Sequence, residues 1–269
     1  MKRYLILALA LLALGACQPK QPRLVILHVN DTHSHFEPIR SGEEAGQGGV
    51  IERAAYIDSV RAAEGEDNVL LLHAGDFNQG SSYFTQLGGD LEVTTLNAMR
   101  YDAVTLGNHE FDNGIEDLSR RLKTIGCPVV CANYDFSPFE LGQYVRPYVV
   151  LRKAGRQIGI IGMLTDITKV VDRNIADRLP KYDDAETAQK WADHLRNEEG
   201  CDLVIVLSHL GYSGDRRLVE ATRNIDLVVG GHSHTFLEEM EYATNLDGEQ
   251  VPIVQDGCWG LYMGRIEVR

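Results

Sequence analysis

Positive charge is in short supply in this sequence: 26 Lys and Arg face 39 Asp and Glu, a formal net charge of −13. So acidic a surface repels polynucleotide phosphates, which excludes a nucleic-acid-binding face built on charge. Cysteine is scarce as well, five in 269 residues, and no two stand in a Cys-x-x-Cys spacing. A thiolate zinc ribbon is therefore excluded. Internal repeats, low-complexity blocks and any long linker after Pro22 are absent, so one folded domain is expected. The composition that is present, 44% hydrophobic and 24% charged, is that of an ordinary globular chain able to bury a large core.

The one long apolar run lies at the start. Lys2 and Arg3 precede apolar residues from Tyr4 to Leu14, followed by Leu14-Gly15-Ala16-Cys17. The run is too short for a stop-transfer helix, and a basic start, an apolar centre and small residues before a cut describe a secretory signal. The Leu-Gly-Ala-Cys ending resembles the bacterial lipobox. Residues 1–16 are then the signal peptide, Cys17 is the lipidation site, and residues 17–23, with Gln18-Pro19-Lys20-Gln21-Pro22, form a lipidated tether. Acyl chains contribute about 0.8 kcal/mol per buried methylene. An exported, membrane-anchored lipoprotein on the periplasmic or cell-surface side is expected. Losing Lys2 and Arg3 leaves 24 basic against 39 acidic side chains, a net charge of −15. Cys127, Cys131, Cys201 and Cys258 remain, as disulfides in any of three connectivities or as buried thiols.

From residue 24 to 269 apolar β-rich runs alternate with helical stretches. The predicted strands are Leu24–Val29, Val69–Leu72, Ala103–Leu106, Pro128–Ala132, Gln157–Met163, Leu203–Leu207 and Leu227–Val229. The predicted helices lie near Val50–Ala63, Leu91–Met99, Gly114–Ile125, Ala185–Asn197 and Asp215–Arg223. Such alternation implies a layered α/β domain with substantial parallel pairing. The end is expected to differ, with Pro252–Gln255 and Leu261–Val268 joined by a turn at Gly257–Gly260 into an antiparallel finish. The stretches Gly42–Gly49 and Thr165–Tyr182 are expected to be mobile loops near a site.

In open α/β sheets the site forms beyond the carboxyl ends of the strands. Here those exits are rich in metal-type ligands. They carry Asp31-Thr32-His33, Gly75-Asp76, Gly107-Asn108-His109-Glu110-Phe111-Asp112, Ser208-His209 and Gly230-Gly231-His232-Ser233-His234. Any one of these has an ordinary explanation as a turn or a helix cap. Five of nine histidines gathered at strand exits with two Asp and an Asn do not. Mixed imidazole and oxygen donors suit first-row divalent ions, and one shared carboxylate sets a pair about 3.5–4 Å apart. The glycines beside them allow sharp turns where a Cβ would obstruct. His28 and His73, inside strands, read as core residues, His35 as a site neighbour, and His194 and Trp191 as members of a helix.

In this order the five motifs resemble the signature of calcineurin-like metallophosphoesterases, and the form Asn108-His109-Glu110-Phe111-Asp112 resembles their 5′-nucleotidase branch, over nearly the whole chain from Leu24 to Val268. The resemblance implies a four-layer α-β-β-α sandwich and a pair of divalent ions, Zn, Mn, Co or Fe. It further implies that Asp31, His33 and His234 hold the first ion, Asp76 bridges, and Asn108, His209 and His232 hold the second. His109 and Asp112 match the family's catalytic pair, and Asn133 a substrate-binding position. Bacterial and animal 5′-nucleotidases carry a second, C-terminal, base-stacking domain for which this sequence has no counterpart. The implied activity is hydrolysis of small phosphomonoesters such as nucleotides, with a separate substrate-binding chain as a candidate partner. The alternatives are hydrolysis of cyclic-nucleotide or nucleotide-sugar diesters, and a non-catalytic metal-binding subunit.

Overall fold

The computed structural model describes residues 23–268, so the signal peptide, Cys17 and all of the tether but Arg23 lie outside the described residues. Chain order runs β1 (Leu24–Val29), α1 (Val50–Glu64), β2 (Val69–His73), α2 (Ser82–Leu87), α3 (Asp90–Met99), β3 (Ala103–Thr105), α4 (Ile115–Leu122), β4 (Val129–Val130) and β5 (Val145–Arg146). It continues with β6 (Tyr148–Lys153), β7 (Arg156–Leu164), α5 (Arg173–Ala176), α6 (Asp184–Asn197), β8 (Leu203–His209), α7 (Tyr212–Glu220), β9 (Leu227–Val229), β10 (Glu241–Thr244), β11 (Gln250–Val254) and β12 (Gly264–Val268).

Two six-stranded sheets result, ordered β12-β1-β2-β3-β4-β5 and β10-β11-β9-β8-β7-β6. Alternating side chains on each strand serve different layers, because successive Cβ atoms point to opposite faces. Leu24 and Ile26 face inward and meet Ile158, Ile160, Ile205 and Leu207 of the other sheet. Val25, Leu27 and Val29 face outward and pack with Ile57, Val60, Leu96 and Leu118 from α1, α3 and α4. On the far side, Ile161, Met163, Val204 and Val206 pack with Ala188, Ala192, Leu195 and Leu218 from α6 and α7. Three apolar seams between four layers make the expected α-β-β-α sandwich, and strands buried on both faces explain the unbroken apolar runs in the sequence. Among the described residues no helix is long and apolar enough to cross a membrane. Among the described residues Cys127, Cys131, Cys201 and Cys258 form no disulfide.

The expected antiparallel finish is corrected. β11 and β12 do not pair with each other: β11 runs parallel to β9 in the second sheet, whereas β12 runs antiparallel to β1 in the first. Residues 255–263 thus cross from sheet to sheet, and Ile266 reaches the inter-sheet seam. Thr165–Tyr182 is also more than a loop, since it contains α5 and buries Ile167, Val171, Ala176 and Leu179 in the first-sheet core. The sequence pattern missed β6 and β10, whose residues are largely half-buried or exposed and so lack a strong apolar signal.

Candidate metal centre

Parallel β1, β2 and β3 of one sheet and β8 and β9 of the other end at the same edge of the sandwich. Contacts across that edge lock the two sheets together. His209 Nδ1 lies 2.7 Å from the Ala74 carbonyl oxygen, and the His232 N–H donates to Asp31 Oδ2 at 2.9 Å. Gly231 is required there, because a Cβ would stand 2.6 Å from the Ala74 oxygen. A Cβ at Gly107 would likewise lie 2.2 Å from Asp76 Oδ1.

Three overlapping groups of donor atoms gather at the edge: Asp31, His33 and His234; His33, Asp76 and His109; and Asp76, His209 and His232. His33 Nε2 and His234 Nε2 point at one another at 2.9 Å, and Asp31 Oδ1 lies 3.3 Å from His234 and 3.8 Å from His33. Asp76 Oδ2 stands 3.0 Å from His209 Nε2 and 4.0 Å from His33 Nε2, which places it between the outer groups. Asn108 Oδ1 is buried without a hydrogen-bond partner among the described residues. Its turn joins the same cluster, since the His109 N–H donates to Asp76 Oδ1 at 2.8 Å. All seven residues expected to be ligands thus lie at this one edge, His209 as the last residue of β8 and the others in the turns that follow the strands.

The backbone is strained to present them. Asp31, His33, Asp76, His232 and His234 all adopt positive φ, between 47° and 75°. Non-glycine residues rarely do so, and such strain collects where function over-determines the backbone.

The cluster fits cations. Asp31 and Asp76 are buried carboxylates, and among the described residues only histidines lie within ion-pair distance of them. Two buried negative charges without guanidinium or ammonium partners need another positive charge. In the bare protein a histidine supplies it: burial opposes ionisation, yet Asp76 and Asp31 push His209 up to about 10. Two of the rings are also aimed. His33 and His209 use Nδ1 on the carbonyls of Asn78 and Ala74, leaving Nε2 turned to the cluster, the arrangement that orients ligating imidazoles.

Beside the cluster, His109 Nδ1 and Asp112 Oδ2 are 2.9 Å apart and both side chains reach solvent. The hydrogen bond to Asp112 raises the His109 pKa, with burial opposing. The profile of calcineurin-like phosphoesterases matches residues 24–236.

The chain belongs to the calcineurin-like phosphoesterase family.

Phosphoesterases of this family use a pair of divalent ions, and Asp76 of this chain belongs to two of the three donor groups. The chain is 38% identical over 267 residues to the snake venom 5′-nucleotidase of Naja atra, covering 91% of itself and 50% of that protein. It is 34% identical to the 5′-nucleotidase of Homo sapiens, covering 97% and 49%. In structure it resembles the 5′-nucleotidase precursor of Thermus thermophilus, with a TM-score of 0.84, 37% identity and coverage of 92% and 51%. The NAD nucleotidase of Haemophilus influenzae follows with a TM-score of 0.80, 30% identity and coverage of 91% and 47%. The chain spans about half the length of the curated relatives it matches.

Asn133 behaves differently from the expectation that it meets substrate. It is fully buried; its Nδ2 donates to the Leu164 carbonyl at 2.7 Å and to Asp184 Oδ1 at 2.6 Å, while its Oδ1 accepts from the Leu164 N–H at 2.9 Å and lies 3.6 Å from Cys131 Sγ. Every donor and acceptor of the amide is engaged, so it ties β4 to β7. Sequence reasoning gave no role to Glu110. This buried carboxylate accepts the N–H groups of Gly107, Asp76, Phe77 and Asn78 and so couples the turns that carry Asn108 and Asp76. The motif contained it; only the structure shows what it holds. Gln255 is a second such residue, accepting from the Thr235 N–H at 2.6 Å and donating to the Gly231 carbonyl at 3.1 Å, with no sequence signal to mark it.

His28 and His73 are core residues as read. His28 pairs with Asp256 at 2.6 Å, and His73 Nε2 lies 3.1 Å from the Thr32 hydroxyl. His35 stacks on Trp259 at 5.1 Å, and His194 and Trp191 pack with Tyr148.

Proposed function

We propose that the chain hydrolyses small phosphomonoesters, nucleotides or compounds close to them, with two divalent ions. The observation that carries this is the chain of three donor groups linked through His33 and Asp76, with His109 of the middle group paired to the solvent-reaching Asp112. Asp31, His33 and His234 would hold one ion, Asn108, His209 and His232 the other, and Asp76 would bridge. When bound, such a pair supplies Lewis-acid activation of water and offsets charge on the phosphoryl oxygens.

The rest falls to side chains. With Nδ1 engaged by Asp112, His109 has Nε2 free to hold a proton and give it to the departing alkoxide, a role worth about 10²–10⁴-fold. Asp112 keeps that proton on the ring by favouring the imidazolium. Retention of this pair favours hydrolysis over a mere metal-holding subunit, which would need neither residue.

Nucleotide preference rests on the half-length resemblance to 5′-nucleotidases, so a separate substrate-binding chain is part of the proposal. So are the division of the chain into signal peptide, tether and a catalytic domain from residue 24, export, and a membrane anchor at Cys17. The test is a panel of nucleoside monophosphates, a cyclic nucleotide and an aryl phosphate with manganese, cobalt or zinc. Release of phosphate from monoesters is expected. Turnover of the cyclic ester alone would move the assignment to diesters, and no turnover with metal loaded would overturn it.

A further inference from the structure

Behind the turn that carries Asp31 and His33 lies a small pocket of about 10 Å³, room for the centre of one water-sized particle. Arg53 of α1, Tyr101, His73 at the end of β2, Thr32 and Glu92 of α3 line it. Among the described residues five polar atoms there are buried without a hydrogen-bond partner: Arg53 Nε and Nη1, Tyr101 Oη, His73 Nδ1 and Glu92 Oε2. The first four are donors or can be. Burial keeps the His73 ring neutral, and the Thr32 hydroxyl 3.1 Å from Nε2 can donate to it, which leaves the ring proton on Nδ1.

Among the described residues the guanidinium has no counter-charge: Arg53 is only 8% exposed, and no carboxylate there lies within ion-pair distance of it. Glu92, the one acid lining the cavity, is turned to Ser34, whose hydroxyl donates to Oε1, and burial holds its carboxyl toward the neutral form. An arginine does not lose its proton in a protein, so a buried one costs several kcal/mol unless paired. A single water could accept two of these hydrogen bonds but would leave the charge uncompensated.

We propose that this cavity binds one small monovalent anion of chloride size, held by Arg53, Tyr101 and His73. Entry is beside the guanidinium, because Arg53 also lines an open cleft of about 310 Å³ formed with Gly48, Gly49, Glu52, Tyr56 and Leu261. Through His73 and its contact with Thr32, the anion braces the turn between Asp31 and His33 from behind.

Halide binding is tested in metal-loaded protein, first by anomalous diffraction from crystals in sodium bromide. A bromide peak between Arg53, Tyr101 and His73 is expected; a water there, or bromide only at the surface, overturns the proposal. Thermal unfolding in chloride is then compared with gluconate at equal ionic strength. Chloride at ten times its Kd multiplies the folded-to-unfolded ratio about elevenfold, a Tm rise of about 3–6 °C. Arg53→Met abolishes that difference, and Tyr101→Phe, a milder change that removes one donor, reduces it. Equal Tm in the two salts, or a chloride effect unchanged in both variants, refutes the site.

Discussion

Replacing Glu110 by Gln isolates the least obvious part of the centre. The side chain keeps its shape, and one oxygen can still accept the N–H groups of Phe77 and Asn78, now 3.0 and 3.2 Å away. The other oxygen, which accepts from Gly107 at 2.5 Å and Asp76 at 2.9 Å, becomes an amide NH₂ facing two N–H donors. Burial and the charge of Asp76 push the Glu110 carboxyl up to about 7, with the backbone N–H groups pulling the other way. Four donors leave it no acceptor for a proton, so the ionised form is the one this pocket fits. Two backbone N–H groups and the new amide would lose their partners in a fully buried site. At about 1–3 kcal/mol for each unsatisfied group, the loss is roughly 3–9 kcal/mol, divided between folding and separation of the Asp76 and Asn108 turns. Metal affinity should therefore fall about 10–100-fold. Chelator competition gives the affinity and urea unfolding the stability. Native stability together with unchanged metal affinity in Glu110→Gln would refute the idea that this carboxylate couples the two turns.

Further outcomes separate binding from chemistry. Asp76→Asn should abolish turnover by losing metal, whereas His109→Ala should keep metal, read by elemental analysis, and slow turnover about 10²–10⁴-fold; equal metal loss would make His109 a ligand, which its place in one donor group allows. Asp112→Asn removes the main influence raising the His109 pKa, so the alkaline limb of the pH–rate profile should move to lower pH; an unmoved limb would deny His109 the proton. Asp215 is fully buried and burial pushes it up to about 7, above its unfolded value, so its contribution is complete below about pH 4 and is lost as pH rises toward 7. In chelator-treated protein that loss is about 4 kcal/mol at most, and Asp215→Asn should flatten it. Identical pH–stability curves would show that Asp215 ionises freely.

Local pattern decided much of this protein. Leu24–Val29 and Leu227–Val229 are strands at the boundaries read from the sequence, and α6 differs by a single residue, because burial on both faces and helical spacing leave strong apolar signatures. The turn residues that follow β1, β2, β3, β8 and β9 were visible as donors because a ligand must stand next to the strand end that aims it. Asn133 looked the same in sequence as Asn108. Only its partners, Leu164 and Asp184, show that its amide is occupied while Asn108 Oδ1 is not.

What lay beyond the sequence depends on contacts between distant segments. That β12 joins β1 while β11 joins β9, that Glu110 gathers four N–H groups, and that Arg53 is buried without a carboxylate all follow from how two sheets and their helices pack. Residue order states which side chains leave each strand. Which of them meet, and which charge is left alone, is settled by the long-range packing that closes the sandwich.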